Sequence, residues 1–234
     1  MQAAIISNTS EASAVRFANK TAIVVDVLRA SSTIITALSA GASNITPVET
    51  VIEARSMQQN GDLLGGDRFC RKIPGFELGI SPSEYTNCAI AGQRIILTTT
   101  NGTRAIYKSM RAEHLLVGAL LNAAACAQAA IELRKDIIIV CAGAHDEFAI
   151  EDGLGAGLIL HRLTELYQGD LELDDLGWAM VALYRDRAKH LRETLYSGMT
   201  GRKLVKLGLS ADIDACAAAD SFATVPRLHG TIIV

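Results

Sequence analysis

One polar turn of the sequence combines a carboxylate with hydroxyl side chains at a spacing that suits phosphate chemistry. Asp26 ends an apolar, β-branched run and precedes Arg29 by three residues. Ser31, Ser32 and Thr33 then open a predicted helix, where free backbone N–H groups and the positive end of the helix dipole attract anions. A carboxylate for a hard cation beside such a helix start fits metal-assisted phosphoryl transfer. The local alternative is that Ser31 caps the helix and Arg29 pairs with Asp26.

A second polar turn, residues 98–104, has the sequence TTTNGTR and is rich in hydroxyl groups. Asn101 and Gly102 permit positive φ angles, so several backbone N–H groups can point at one anion. Thr103 and Arg104 follow directly and add a hydroxyl group and a positive charge. The local alternative is a capped turn between a strand and a helix.

Two further segments add charged side chains that could complete such a site. Glu151 and Asp152 open a long predicted helix after a third apolar strand, and as metal ligands they would complement the carboxylate of the first turn. Their local alternative is compensation of the helix dipole. In an otherwise irregular stretch, Gly66 allows a close approach of the backbone, and Asp67 and Arg68 follow it as a charged pair.

The elements that must position these residues alternate between strands and helices. Apolar runs predict strands at residues 21–27, 44–48, 94–99, 114–117, 136–141 and 231–234. Periodic patterns predict helices at residues 31–41, 50–59, 101–110, 122–133, 151–167, 174–195, 201–207 and 213–219. The stretch between residues 61 and 85 is predicted to be irregular.

This alternation indicates an α/β fold of three-layer α/β/α type with a mainly parallel or mixed sheet. We expect a single domain over residues 1–234, and two lobes around a cleft are an open variant. Ligands of open α/β sheets lie beyond the carboxyl ends of the strands. The polar turns are therefore predicted to face one crevice.

The composition excludes several classes of function. The 234 residues carry a formal net charge of -3, which offers no basic surface for nucleic acid. The sequence lacks the ~20 strongly apolar residues of a membrane span, and its start lacks the basic residues of a signal peptide. The 5 cysteines form no C-x-x-C pair, which indicates reduced thiols. We expect a cytoplasmic protein that binds neither nucleic acid nor membranes.

Other patterns support competing interpretations. Gly153, Gly155 and Gly157 imitate a dinucleotide fingerprint but lie about ten residues beyond the strand. A cysteine hydrolase resembling the isochorismatase group would use Asp26 and Cys141, each at the end of a buried strand. That chemistry also needs a lysine at a third strand end, and the sequence predicts none. A non-catalytic sensor of anionic metabolites is the remaining alternative.

Six motifs appear in a fixed order along the chain: DVLRASSTI (26–34), GGDR (65–68), GFELGISPSEY (75–85), TTTNGTRA (98–105), CAG (141–143) and EDGLGAG (151–157). Together with the late motif DIDACAAAD (212–220), they resemble the 2-phosphosulfolactate phosphatase family over nearly the whole chain. The resemblance implies a Mg²⁺-dependent phosphoric monoester hydrolase that acts on 2-phospho-3-sulfolactate, a step of coenzyme M biosynthesis. The family usually has GGER and GFDLGNSP where this chain has Asp67, Glu77 and Ile80.

We combine the turns and the resemblance into one hypothesis for the site. The predicted Mg²⁺ ligands are Asp26, Asp67, Glu151 and Asp152. The predicted catalytic residues are Asp26, Arg29 and Asp152. The predicted substrate-binding residues are Ser31, Ser32, Thr33, Gly66, Arg68, Asn101, Gly102, Thr103 and Arg104. The expected partner is a small anionic phosphate monoester, and a homodimer is an open possibility for the assembly.

Overall fold

The computed structural model describes residues 1–86 and 88–234, without the side chain of Cys88. Its strands are β1 (Gln2–Ile6), β2 (Lys20–Val25), β3 (Asn44–Pro47), β4 (Leu63–Arg68), β5 (Arg71–Lys72), β6 (Arg94–Thr98), β7 (His114–Gly118), β8 (Asp136–Cys141), β9 (Glu172–Leu173), β10 (Leu228–His229) and β11 (Ile232–Ile233). Its α-helices are α1 (Ala30–Ser39), α2 (Val51–Met57), α3 (Gly102–Ser109), α4 (Ala123–Glu132), α5 (Ile150–Leu166), α6 (Asp175–Arg187), α7 (Leu191–Ser197), α8 (Met199–Lys206) and α9 (Ser210–Cys216). The predicted α/β class is confirmed.

The strands divide between two sheets, a division that the alternation of elements did not predict. A 5-stranded parallel sheet has the order β7-β2-β8-β1-β9. A 6-stranded mixed sheet has the order β10-β11-β3-β6-β4-β5. In the second sheet, β3, β6 and β4 are parallel, whereas β5, β10 and β11 pair antiparallel. The C-terminal strand β11 lies inside this sheet, with β10 at the edge.

The parallel sheet is covered on both faces, which gives the α/β/α layering. Along β2, Ile23 and Val25 pack in one core with α4 and α5, whereas Ala22 and Val24 pack in a second core with α1 and α3. The second core also contains Ile45 and other residues of the mixed sheet, so α1 and α3 contact both sheets. Because both faces are buried, the strand is a continuous apolar run in the sequence.

Two glycines explain why β4 was missed in the stretch predicted to be irregular. A Cβ atom on Gly65 would overlap the Tyr85 hydroxyl group, and one on Gly66 would overlap the Thr98 carbonyl oxygen. Both positions therefore need glycine for close packing against neighbouring segments. In a sequence pattern the same glycines indicate a break in a strand.

The glycine row of α5 has a packing role. A Cβ atom on Gly157 would overlap the Met180 carbonyl oxygen, and one on Gly155 would lie 2.8 Å from a Val27 methyl carbon. The row therefore lets α5 approach α6 and the segment after β2. Neither α5 nor another helix in the described ranges is long and apolar enough to cross a membrane.

Candidate active site

The three polar turns meet in one cavity, as predicted from the strand-end rule. The first turn contributes Asp26, Leu28, Arg29 and Ala30, the second contributes Thr99, Thr100 and Asn101, and the third contributes Gly143, Ala144, His145, Glu151 and Asp152. The hairpin of β4 and β5 adds Asp67, Phe69 and Cys70, α8 adds Met199, Thr200 and Lys203, and Ile80 completes the lining.

Strand register and one glycine bring the turns together. Val25 lies opposite Cys141 in the parallel sheet, so Asp26 and Ala142 leave neighbouring strand ends side by side. The second turn comes from the other sheet. Its Gly102 packs directly against the first turn, since a Cβ atom there would overlap the Ala30 side chain and lie 2.7 Å from Asp26 Oδ2. Glycine at position 102 therefore permits the close approach of the two turns.

Three carboxyl groups form the buried base of the cavity: Asp26, Glu151 and Asp152. They are 8%, 2% and 2% exposed, respectively. Burial raises the pKa of Asp26 to about 7, and the nearby carboxylates of Asp67 and Glu151 contribute to the rise. Burial also raises the pKa of Asp152, and its next causes are the charges of Asp26 and Glu151. Burial raises the pKa of Glu151 in the same direction. The three acids therefore repel one another when ionised.

Backbone N–H groups fix two of these acids and leave ligand atoms free. Asp152 Oδ1 accepts a hydrogen bond from Val27 N at 2.8 Å, and its Oδ2 accepts one from Gly143 N at 2.9 Å. Asp26 Oδ1 accepts from Ala30 N at 3.2 Å. Glu151 Oε2 is buried and has no hydrogen-bond partner among the described residues. A buried carboxylate oxygen without a donor is an available ligand for a cation.

The donor set fits a hard divalent cation such as Mg²⁺. Within residues 1–86 and 88–234, no group of three or more His, Cys, Asp and Glu side chains is already arranged around a common metal position. Mg²⁺ does not need such a cage, because it keeps several waters and binds through one or two carboxylates plus substrate phosphate oxygens. Asp26, Glu151 and Asp152 supply oxygen ligands and negative charge of that kind.

Arg29 lines the cavity and is held by a residue that the turn analysis missed. Its guanidinium donates to Asp212 Oδ2 at 2.5 Å and to Ser81 Oγ at 3.2 Å, and it lies 3.8 Å from Asp67. Ser81 also donates to Asp212 Oδ2 at 2.7 Å. The late motif that begins at Asp212 was the signal in the sequence, although nothing in its pattern assigned it to Arg29.

The predicted hydroxyl donors of the first turn face the backbone and do not line the cavity. Ser32 Oγ donates to Val27 O at 2.8 Å, and Thr33 Oγ1 donates to Ile80 O at 2.7 Å. Ser31 Oγ accepts from Asp26 N at 2.9 Å. These side chains fix the turn that carries Asp26. The prediction that they contact the phosphate group therefore has no support in the side-chain directions.

In the second turn, Asn101 lines the cavity, whereas Thr103 and Arg104 do not. Thr103 Oγ1 donates to Thr99 O at 2.9 Å, and Thr103 N donates to Thr99 Oγ1 at 3.1 Å. Arg104 forms a half-exposed ion pair with Asp146 at 2.7 Å. The Asn101 side chain makes no capping hydrogen bond and has no hydrogen-bond partner among the described residues, so its amide group is available for a ligand.

Of the GGDR motif, only Asp67 lines the cavity. Its Oδ2 accepts from Cys70 N at 2.9 Å, and burial raises its pKa. Arg68 is directed elsewhere and donates to Thr98 Oγ1 at 3.0 Å. Gly66 N donates to Gly79 O at 2.9 Å, and the residue packs against the Thr98 carbonyl group. The motif therefore contributes one acid and the backbone that positions it.

The cysteine hydrolase alternative lacks an accessible nucleophile. Cys141 is fully buried and does not line the cavity. Burial raises the pKa of its thiol well above the ordinary value, and the charge of Asp152 adds to the rise. A thiolate, the reactive form, is therefore disfavoured at this position.

Comparison with known proteins agrees with the geometry of the cavity. The family model described as 2-phosphosulpholactate phosphatase matches residues 7–231. The chain belongs to this phosphatase family. A relative from Caldanaerobacter subterraneus named "Probable 2-phosphosulfolactate phosphatase" is 42% identical over 218 residues, which cover 92% of this chain and 90% of the relative. Relatives with the same name from Thermotoga maritima (40% identical, 92% of both chains) and Clostridium novyi (35% identical, 98% of this chain and 97% of the relative) are also similar.

Two of the three departures from the usual phosphatase family motifs lie at the site. Asp67 and Ile80 line the cavity. Glu77 does not, since its Oε2 accepts from Leu64 N at 2.9 Å and supports β4. The substitutions at positions 67 and 80 therefore change side chains that a bound substrate would contact.

Proposed function

We propose that the chain hydrolyses the phosphate ester of 2-phospho-3-sulfolactate, or of a closely related 2-hydroxy acid, with Mg²⁺ as cofactor. The observation that carries this proposal is the group of three buried carboxyl groups, Asp26, Glu151 and Asp152, at the base of one cavity. Membership of the phosphatase family and the names of the relatives support the same reaction. The proposed location of the activity is the cytoplasm.

The three acids would hold the metal ion. Asp26 Oδ2 and Glu151 Oε2 accept no backbone hydrogen bond from the described residues, and Asp152 is fixed in place by two N–H groups. A bound Mg²⁺ would supply charge neutralisation for the phosphoryl oxygens of the ester. The burial that raises the pKa values of these acids in the free protein also excludes water, which strengthens their attraction for a cation.

The phosphate group would lie between the base of the cavity and the second turn. Arg29 contributes positive charge from one side, and its contact with Asp212 fixes the direction of the guanidinium. Asn101 contributes a free amide from the other side. Donors that are already aligned cost no reorganisation when charge develops on the phosphoryl group.

In the net hydrolysis, a P–O bond to the oxygen of water replaces the P–O bond of the ester. The departing alkoxide needs a proton, and we assign its delivery to Asp67. Burial raises its pKa, so its carboxyl group retains a proton more readily than an exposed aspartate. Its Oδ2 accepts from Cys70 N, which leaves Oδ1 to carry the proton towards the leaving oxygen. The neighbouring Arg29 at 3.8 Å limits the rise in pKa, so the carboxyl group can also release the proton to the leaving oxygen.

A phosphate-release assay on the purified protein tests the proposal. With 2-phospho-3-sulfolactate, we expect release that depends on added Mg²⁺ and stops with EDTA. Release that persists in EDTA would remove the metal from the scheme. Tight binding of the ester without release would instead indicate the non-catalytic sensor. Cys141→Ala should retain Mg²⁺-dependent phosphate release, because the Cys141 thiol is buried and does not line the cavity.

A further inference from the structure

We propose that Lys203 binds the second anionic group of the substrate, a carboxylate or sulfonate on the carbon skeleton, and thereby selects phosphate esters of acids. This inference rests on the proposed function, because it concerns the same cavity. Lys203 was not predicted as a site residue from the sequence, because it lies in the C-terminal helical region, far along the chain from the three turns.

The positively charged side chains near the cavity differ in whether they already have a partner. Arg29 lines it, forms an ion pair with Asp212 at 2.5 Å, and is the positive charge already assigned to the phosphate group. Arg68 and Arg104 do not line it and have partners elsewhere. Lys203 lines it, and its ammonium group has neither a hydrogen bond nor an ion pair with another residue of the described ranges.

Lys203 lies in a more exposed part of the cavity than the three acids at the base. On α8, Met199 and Lys203 are four residues apart, so they lie on one face of the helix. Phe69, on the β4–β5 hairpin, is 72% exposed, and its ring centre lies 6.0 Å from Lys203 Nζ. The acids at the base are almost fully buried, whereas Phe69, Met199 and Lys203 are partly or largely exposed and form the mouth of the cavity.

The negative charge of the cavity lining would repel an anionic substrate. Four carboxyl groups line the cavity, and a substrate with several negative charges needs positive charge close to each anionic group. Lys203 is close enough to Asp67 and Cys70 to lower the pKa of each, although burial raises both values overall. An anion at the mouth would find an ammonium group that is partly desolvated and has no competing carboxylate contact.

The distal anion and the phosphate group would then be recognised by different parts of the protein. The base and Arg29 would bind the phosphate group, which all substrates of this type share. Lys203 would bind the carboxylate or sulfonate, which is present in an ester of an acid and absent from an ester of a neutral alcohol. Loss of one hydrogen bond between charged partners lowers kcat/KM by roughly ten- to a hundredfold.

The experiment compares Lys203→Met with Lys206→Met on three substrates. Lys206 is on the same helix, exposed and outside the cavity, so it is a matched control for loss of one positive charge. The substrates are 2-phospho-3-sulfolactate, 2-phospholactate, which lacks the sulfonate, and p-nitrophenyl phosphate, which lacks both acid groups. We expect Lys203→Met to lose kcat/KM on the first substrate, mainly through KM, and to keep wild-type kcat/KM on p-nitrophenyl phosphate.

The two acid esters identify the group that Lys203 binds. An equal loss on both assigns Lys203 to the carboxylate, and a loss on the sulfonate ester alone assigns it to the sulfonate. Lys203→Arg should keep most of the activity because it retains the charge. Equal losses on all three substrates, or no loss on any, would overturn the inference.

A binding measurement separates this inference from the proposed function. If the wild-type protein releases no phosphate from any ester, the proposed function fails. Calorimetric titration with sulfolactate, which has both acid groups and no phosphate, then decides on Lys203 alone. Weaker binding by Lys203→Met than by Lys206→Met would support the inference, and equal binding would overturn it.

Discussion

The base and the mouth of the cavity differ in burial, charge and backbone support. The base consists of Asp26, Glu151 and Asp152, almost fully buried and fixed at strand ends and a helix start. The mouth consists of Phe69, Met199 and Lys203, all partly or largely exposed. A region with fixed, desolvated charge suits the chemical step. An exposed region whose cation, Lys203, has no ion pair with another described residue suits discrimination between substrates.

The backbone shows the same contrast. At the base, Asp26 follows a central strand of the parallel sheet, paired on both sides. At the mouth, Phe69 and Cys70 form the two-residue loop of the β4–β5 hairpin, with φ angles of 57° and 65°. Such loops favour Asn-Gly, because larger side chains are strained in the left-handed region by about 1 kcal/mol per residue. The mouth therefore contains a side chain that the local backbone does not favour.

The largest expected effect of a substitution is at the base. Asp26→Asn keeps the size of the side chain and removes a proposed metal ligand, so kcat should fall by roughly 10²–10³-fold at saturating Mg²⁺. The control is Asp186→Asn, which removes an exposed carboxylate outside the cavity. Steady-state phosphate release measures both. Near wild-type turnover in Asp26→Asn would remove Asp26 from the catalytic scheme.

A second substitution separates metal binding from folding. Glu151→Gln should raise the Mg²⁺ concentration for half-maximal rate by roughly tenfold or more. In EDTA the same variant should be more stable than the wild type, because it removes one of three mutually repelling buried acids. Mg²⁺ titration of the rate and thermal denaturation in EDTA measure the two effects. A less stable variant in EDTA would contradict the repulsion at the base.

The base also predicts how stability depends on pH. The pKa of Asp26 is about 7 in the folded protein, against 3.8 for the ordinary group. A folded-state pKa above the unfolded value means that the contribution to stability is full below 3.8 and is lost as the pH rises through about 7. In EDTA, the melting temperature should therefore fall between pH 5 and pH 8, and added Mg²⁺ should reduce the fall. A melting temperature that rises over this range in EDTA would contradict the assignment.

The smallest expected effect is at Arg104, outside both regions. Its half-exposed ion pair with Asp146 contributes about 0–1 kcal/mol to stability. Arg104→Ala should change kcat/KM by less than about twofold, since charge on an exposed side chain is well screened. A large increase in KM would restore the phosphate-binding role that the sequence pattern predicted.

The meeting of the first and third turns was predictable, because strand ends of one parallel sheet follow a general rule. Asp26 and Asp152 line the cavity for this reason. Asn101, by contrast, follows a strand of the other sheet and is brought to the cavity by the close packing of Gly102 against the first turn. The roles of individual hydroxyl groups were not predictable. A pattern gives the position of Thr33 at a helix start, but its Oγ1 donates to Ile80 O, which is 47 residues away in the sequence.

Long-range pairing explains the other omissions. Asp212 contacts Arg29, which is 183 positions away in the chain. Lys203 lines the cavity from α8, which is also distant in the sequence from the three turns. No local spacing encodes such contacts. The motif at residues 212–220 contributed to the family resemblance, but it did not indicate that Asp212 contacts Arg29. Gly65 and Gly66 obscured β4, because the packing that requires them is tertiary.

The most direct test of a metal site at the base is anomalous scattering from crystals grown with Mn²⁺, which stands in for Mg²⁺ at oxygen ligands. Crystals should also contain sulfolactate and inorganic phosphate, to occupy the mouth and the base. We predict one anomalous peak within coordination distance of Asp26 and Glu151 or Asp152. A peak confined to other residues, or none in a cavity occupied by phosphate, would contradict the account.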